Sequence, residues 1–241
     1  MMATDLMTVR PVVYAVCLTA DRGAFTDRAV RSFLHQTYTP RRMLVLDTGV
    51  QPYQYPVHLR PFAHELQIVW LPSHRGHTIG ALRNTAADLA ADANILMHWD
   101  SDDWSSPHRM SVQVAALTEE VEGKTPALCV GFNQVVFWNS IRCEAWEYRQ
   151  PGRRDYAIGT SLAYWREAWS AREFPGTSCG EEIEFARGRC ESESAIPEGN
   201  YIPLLVAEVH GQNTTSKIID TADEWKRSPW RDAKIRRLME L

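Results

Sequence analysis

Apolar and polar positions along the chain predict buried strands alternating with amphipathic helices. Pro11-Val-Val-Tyr-Ala-Val-Cys-Leu18 is a short apolar, β-branched run that reads as a buried strand, ended by a turn at Thr19-Ala-Asp-Arg-Gly23. From Thr26 the period changes. Thr26 is placed to cap a helix, Asp27 suits its first turn, Val30, Phe33 and Leu34 share one face, and Pro40 stops it. Met43-Leu-Val-Leu46 reads as a second strand, ended by Asp47-Thr-Gly49, and the proline-rich stretch from Gln51 to Pro61 reads as irregular. Leu66 to Leu71 makes a third strand. Thr78 then caps a helix on which Leu82, Ala86, Leu89 and Ala90 fall together, and Asn94 to Trp99 is a fourth strand running straight into Asp100-Ser-Asp-Asp103. Beyond it the pattern gives a helix over Pro107 to Val121, strands over Leu128 to Trp138 and Ala145 to Tyr148, an exposed loop over Gln150 to Arg154, and an apolar run from Ile202 to Val209. This order over the first hundred residues predicts an α/β fold with a mostly parallel sheet. Without an internal repeat, a low-complexity tract or a long linker, one domain is expected over residues 1–241.

Composition narrows the function classes. The 241 residues are 44% hydrophobic and 23% charged, close to a globular average, which excludes a disordered, collagen-like or coiled-coil chain. A net charge of −4 gives no broad basic field, so coating nucleic acid or an anionic membrane has no general electrostatic support, although a local basic groove stays open. No run approaches the ~18 apolar residues of a membrane span. Met1 to Arg10 lacks a signal peptide's apolar run, so a cytoplasmic chain is expected, with peripheral attachment at the inner membrane face left open. The sequon at Asn213 is then without meaning for glycan attachment. Cys17, Cys129, Cys143, Cys179 and Cys190 are odd in number and scattered, and they read as reduced thiols rather than a disulfide framework or a zinc site. Nine tryptophans are a heavy load of stacking side chains. Trp165 and Trp169, at helical spacing, read as core packing, with a sugar platform as the alternative.

Candidate chemistry gathers at the carboxyl ends of the predicted strands, where open α/β sheets hold functional groups. Asp21 with Arg22, Asp47, and the cluster Asp100, Asp102 and Asp103 all sit there. Three carboxylates within four residues repel one another unless a cation or several hydrogen bonds offset the charge. Oxygen ligands suit Mn²⁺ or Mg²⁺, which would keep positions for phosphate oxygens; a solvated turn capping the next helix is the alternative. His74 and His77 make no zinc set, and Gly76 to Gly80 lacks the G-K-[ST] ending of a P-loop. Arg149, Arg153 and Arg154 read as a solvated loop or as a segment closing over diphosphate.

Asp100-Ser-Asp-Asp103, preceded by an apolar strand and followed by Trp104 and Pro107, resembles the D-x-D motif of family 2 glycosyltransferases with the GT-A fold. Ala15-Val-Cys-Leu-Thr-Ala-Asp-Arg22 is similar to the family's first strand and Thr-x-Asn-Arg turn, with Asp21 in place of Asn. Ser32-Phe-Leu-His-Gln-Thr-Tyr38 is similar to its S-x-x-x-Q-x-Y helix end. Leu44-Val-Leu-Asp47 matches its second strand, with Thr48 where a second Asp is common. Ile79-Gly-Ala-Leu-Arg-Asn84 and His98-Trp-Asp-Ser-Asp-Asp-Trp104 resemble one bacterial subgroup. Later in the chain, Gly180-Glu-Glu-Ile-Glu-Phe185 is similar to the family's Glu-Asp motif, with Glu182 in the usual Asp position, and His210-Gly-Gln-Asn213 is similar to a late segment that places a His near metal or diphosphate.

The resemblance implies a GT-A domain: a mostly parallel sheet flanked by helices, a smaller antiparallel part in the second half, a nucleotide-sugar half over about residues 9–115, and an acceptor half over about 116–241. It implies a metal-dependent transfer from a nucleotide-diphosphate sugar, with a UDP-sugar favoured, to an acceptor hydroxyl with inversion. Thr19, Asp21, Arg22, Asp47, Arg83, Asn84, Asp100 and Ser101 would hold the nucleotide, with Asp47 accepting the N3–H of uracil. Asp102, Asp103 and His210 would hold Mn²⁺ or Mg²⁺, and Glu181 or Glu182 would deprotonate the acceptor. That acceptor is open between a glycan, a lipid-linked sugar, a protein and another hydroxyl compound. A nucleotidyltransferase making an activated sugar, a glycoside hydrolase and a non-catalytic nucleotide-sugar binder are the competing classes.

Overall fold

The computed structural model describes residues 10–119, 127–149, 156–196, 202–211, 213, 224–228 and 231–240. The loop from Gln150 to Arg154 and the two threonines of the sequon lie outside the described residues. One sheet runs through the molecule. Its first half is parallel, with β1 (Val13–Thr19) paired to β2 (Arg41–Asp47) and to β4 (Ile95–His98), and β3 (Leu66–Trp70) paired to β2. The β-branched and aliphatic runs explain this: β1, β4 and most of β2 are buried without polar alternation, while β3, at the edge of the sheet, is partly buried. On one face Ala15, Cys17, Val30, Phe33, Met43, Met110 and Val114 form a core under α1 (Gly23–Leu34) and α3 (Arg109–Thr118). On the other, Tyr14, Val16, Leu44, Leu82, Ala86 and Phe185 pack with α2 (Ile79–Leu89) and α5 (Glu181–Ala186).

The second half is largely antiparallel. The short β5 (Trp104–Ser105) precedes β6 (Cys129–Asn139), which pairs antiparallel with β7 (Glu144–Arg149) and with β8 (Ala163–Trp165), and β8 joins the halves by pairing antiparallel with β4. Parallel partners of β6 are β9 (Cys190–Ser194) and β10 (Leu205–Val209), while β10 also pairs with β5 and β11 (Trp225–Arg227) pairs with β7. A short α4 (Arg166–Ala171) follows β8, and α6 (Asp232–Met239) packs Ile235 and Met239 beneath Trp138 and Val206. The α/β class with a mostly parallel first half agrees with the sequence reading.

Several local expectations change. Thr78 does cap α2, accepting from the Ala81 N–H at 3.3 Å, and that helix opens where the pattern placed it. Thr26 does not cap α1. The helix begins at Gly23, and the buried Thr26 hydroxyl donates to the Arg22 carbonyl at 3.0 Å and lies 2.9 Å from the Thr19 hydroxyl. The irregular stretch contains a 3-10 helix, Val57–Glu65. Trp165 and Trp169 share no helix face, because Trp165 ends β8 and only Trp169 lies on α4. All five cysteines are free thiols, and Cys129 and Cys190 sit in register on β6 and β9 with sulfurs 3.1 Å apart. No helix among the described residues is long and apolar enough to cross a membrane.

Candidate active site

The turns after β1 and β4 open onto a pocket of about 430 Å³ lined by Arg22, Arg83, Asp100, Ser101, Asp102, Glu181 and Glu182. Chain geometry brings these distant segments together. Gly80, in the first turn of α2, donates its N–H to Thr177 at 2.9 Å, and a Cβ there would lie 1.8 Å from the Pro175 carbonyl oxygen. Only glycine lets the segment leading into α5 lie so close. That contact seats Glu181 beside Arg83, whose guanidinium is 3.5 Å from Glu181 and 3.8 Å from Asp100.

The two glutamates differ in setting. Glu181 is buried against Arg83, 4% exposed. Burial, and then repulsion from Glu181, raises the Glu182 carboxyl above the ordinary 4.5. Its side chain lies along Gly159, where an added Cβ would meet Glu182 Cγ at 2.7 Å. The Gly159 carbonyl accepts from His98 Nδ1 at 2.6 Å. Burial, then Arg83, holds His98 well below its usual pKa, so it is a neutral donor.

The acidic turn is tied down by its own network. Asp102 Oδ2 accepts from His210 Nε2 at 2.9 Å, Asn213 Nδ2 at 3.3 Å and Arg22 Nη1 at 3.4 Å. Asp103 accepts from the Glu208 N–H at 3.0 Å and from the Thr160 hydroxyl at 2.5 Å. Beneath, the fully buried Arg109 donates to the His98 and Thr160 carbonyls, both at 2.8 Å, and to the Ser105 hydroxyl. Burial lowers its pKa to about 10, so it remains charged at neutral pH. Arg28 bridges the Asp102 carbonyl and the Glu208 carboxylate.

Oxygens of Asp100, Asp102 and Asp103 lie within 4.8 Å of one another. A hard-oxygen set with one imidazole suits Mn²⁺ or Mg²⁺. The 2.9 Å between Asp102 Oδ2 and His210 Nε2 is close to the spacing of neighbouring ligands on an octahedral ion with ~2.1 Å bonds.

Not every residue expected at the site is brought into this pocket. Asp47 is buried and does not line this pocket, with one oxygen accepting from the Gly49 N–H at 2.8 Å and the other from the Tyr53 N–H at 2.7 Å, so its carboxylate shapes the loop after β2. Asn84 is turned away, accepting from the Phe174 N–H and the Trp169 indole and donating to the Phe174 carbonyl. Thr19 is buried against Thr26. Asp21 stands exposed beside Arg75, whose guanidinium bonds it at 2.6 Å and lowers its pKa. Asp103 does not line the pocket, since its oxygens point into the Thr160 and Glu208 network. Sequence reasoning did not single out Thr160, Asn213, Arg28, Glu208 or Arg109. Only Asn213 carried a signal, as the end of the His210 segment.

The sequence profile of Glycosyl transferase family 2 matches residues 16–162. No curated protein matches the chain. Solved structures share the fold at low identity. S. aureus TarS 1-349 in complex with UDP superposes with a TM-score of 0.61 at 15% identity, covering 83% of this chain and 60% of that one. The mannosyltransferase PcManGT from Pyrobaculum calidifontis, in complex with GDP-Man and Mn²⁺, gives 0.56 at 15% identity, covering 90% and 59%. GalNAc-T7 with UDP, GalNAc and Mn²⁺ gives 0.57 at 12% identity, covering 84% and 44%. This chain therefore spans about three fifths of the first two and less than half of the third.

Proposed function

Because this chain belongs to glycosyl transferase family 2, we propose that it moves a sugar from a nucleotide-diphosphate donor to an acceptor hydroxyl by single displacement with inversion. The observation that carries this reading is that Asp100, Asp102 and Glu182 line one pocket together with Arg22 and Arg83. The donor's diphosphate is read beside Arg22, Ser101 and Asp102, and its nucleoside toward the exposed Asp21 and the loop after β2. UDP-sugars are the first donors to test, since two of the similar structures hold UDP, while a third holds GDP-Man. Asp100 and Asp102, with His210, are read as holding a divalent cation, Mn²⁺ or Mg²⁺. Bound there, the ion would supply Lewis-acid stabilisation to the departing diphosphate. Asp103 is read as fixing the turn. The division into a nucleotide half and an acceptor half, within one domain, belongs to the same proposal.

Glu182 is the general base in this reading, and Glu181 positions it. Glu181 is paired with Arg83, whereas burial gives Glu182 a raised pKa closer to neutral pH, as suits a base. The acceptor oxygen forms a bond to the anomeric carbon as the bond from that carbon to the diphosphate oxygen breaks. The acceptor proton passes to Glu182, and nucleoside diphosphate leaves with the bonding electron pair.

The test is a thermal-shift titration of UDP-sugars with and without Mn²⁺, on the wild type and on Asp102→Asn. The expected result is a rise in melting temperature that needs both nucleotide and metal and is lost in the variant. An equal shift without metal, or in Asp102→Asn, would overturn the metal assignment. No shift with any nucleotide sugar would overturn the donor reading.

A further inference from the structure

We propose that the wall of the pocket beside Glu182 is an acceptor subsite for the ring of a neutral pyranose, built by Phe137, Tyr148, Trp225 and Tyr156; this rests on the glycosyl-transfer reading above. Phe137 on β6, Tyr148 on β7 and Trp225 on β11 come from adjacent strands, and Tyr148 and Trp225 are register partners. Their ring centroids lie 4.8–5.9 Å apart, with planes 55–80° to one another. Such edge-to-face contacts lock the rings against each other. Tyr156 hydrogen-bonds Tyr148 and lines the same wall. Tyr148, Tyr156 and Trp225 are only half-buried, so these aromatic surfaces border the pocket and are not wholly taken up by the core.

The wall is joined to the base. Ile158 packs in the aromatic cluster, and the next residue, Gly159, is the one against which Glu182 lies. One short segment, 156–160, thus places an aromatic surface and a carboxylate side by side. A pyranose has a face of C–H bonds and a rim of hydroxyls. The first matches an aromatic plane and the second a carboxylate and tyrosine hydroxyls. A lipid chain has no use for that polar rim, and the carboxylates Asp100, Asp102, Glu181 and Glu182 lining the same pocket disfavour an anionic acceptor. The tryptophan load of the sequence so contributes Trp225 to a binding wall, whereas Trp165 and Trp169 belong to β8 and α4.

The experiment separates the two readings. Donor binding is read first, by calorimetry of UDP-GlcNAc and UDP-galactose with Mn²⁺; if neither binds, the UDP-sugar reading above fails and takes the subsite with it. UDP release is then followed with the methyl pyranosides of glucose, galactose, mannose and N-acetylglucosamine, and with cyclohexanol and glycerol as non-sugar alcohols. At least one pyranoside is expected to accelerate UDP release about tenfold over water, with neither alcohol doing so. Trp225→Ala and Tyr148→Ala are each expected to raise its half-saturation roughly tenfold, as loss of a stacking face predicts, while the donor dissociation constant moves less than about threefold. Trp225→Phe keeps a face and restores most of the affinity, which distinguishes stacking from a folding defect. The subsite is overturned if donors bind but no pyranoside accelerates release, if the alcohols serve as well, or if both alanine variants leave half-saturation within about twofold.

Discussion

Gly159→Ala isolates the position of the base from its chemistry. Gly159 has no left-handed φ, so alanine brings no backbone strain. Its new methyl, however, would lie 2.7 Å from Glu182 Cγ, 2.9 Å from Cδ and 3.0 Å from Oε1, where ordinary contact begins at 3.4 Å. The segment cannot retreat easily, since the Gly159 carbonyl is held by His98 and the neighbouring Thr160 is bonded to Asp103 and Arg109. Glu182 Cγ must therefore move by about 0.7 Å and its carboxyl by about 0.5 Å. Misplacing a reacting group by ~1 Å costs about a hundredfold in rate, so kcat/KM for UDP release is expected to fall roughly 10–100-fold, with a melting temperature within about 3 °C of the wild type. Glu182→Gln is expected to lose about 10²–10⁴-fold, the range of general base catalysis. Because both changes act on one group, the double variant should be no worse than Glu182→Gln alone. Wild-type kcat/KM in Gly159→Ala, at unchanged stability, would refute the placement of Glu182 as base. A fully multiplicative double variant would show instead that the methyl acts elsewhere.

Other outcomes follow from the same contacts. The raised Glu182 pKa puts the acid limb of the wild-type kcat/KM profile above pH 4.5, since the base must be ionised. The same shift has a stability cost of definite sign: the folded state holds the Glu182 proton more tightly than the unfolded state, so stability falls as pH rises through the window above 4.5. Glu182→Gln should therefore melt above the wild type at pH 8, with the gap closing toward pH 4. A lower melting temperature for the variant at pH 8 would contradict the desolvation account. Arg109→Met removes a buried cation that satisfies two carbonyls and a hydroxyl. Breaking such a set costs about 3–5 kcal/mol, or roughly 6–20 °C in melting temperature for a chain of this size; a shift under about 2 °C in differential scanning calorimetry would show that the network is dispensable.

What could be read in the sequence was what neighbouring residues decide. The apolar runs at Val13 and Met43, the Thr78 cap, and the acidic turn following His98 depend on local period and turn chemistry, and the structure has them in place. Thr26 failed as a cap because a hydroxyl can equally bond back to the carbonyl four residues earlier, and here burial against Thr19 selects that geometry. Asp47 stands at the strand end where the pattern put it, but the folded loop of residues 48–53 turns its N–H groups onto the carboxylate, which no spacing reveals. Asn84 was drawn to a tertiary partner ninety positions away, Phe174. The aromatic wall was illegible for the same reason, since β6 and β7 form one hairpin but β11 comes from far along the chain and joins them only in the sheet.

The buried charge under the site explains why its acidic groups can coexist. Six carboxylates, on Asp100, Asp102, Asp103, Glu181, Glu182 and Glu208, are held with four guanidiniums, on Arg22, Arg28, Arg83 and Arg109. Three of these cations have a fixed place within the fold: Arg109 under the turn, Arg28 between Asp102 and Glu208, and Arg83 between Asp100 and Glu181. Arg22, which lines the pocket, lies 3.4 Å from Asp102. When every carboxylate is ionised, these six acids exceed the four guanidiniums by two formal charges. A bound diphosphate would add to that excess, which is the electrostatic support for the divalent cation proposed at Asp102. Glu182 keeps its proton more tightly than an exposed carboxylate because it is buried and lies beside the charge of Glu181. The contrast between Glu181, paired with Arg83, and Glu182, raised by burial, is what the proposed choice of base rests on.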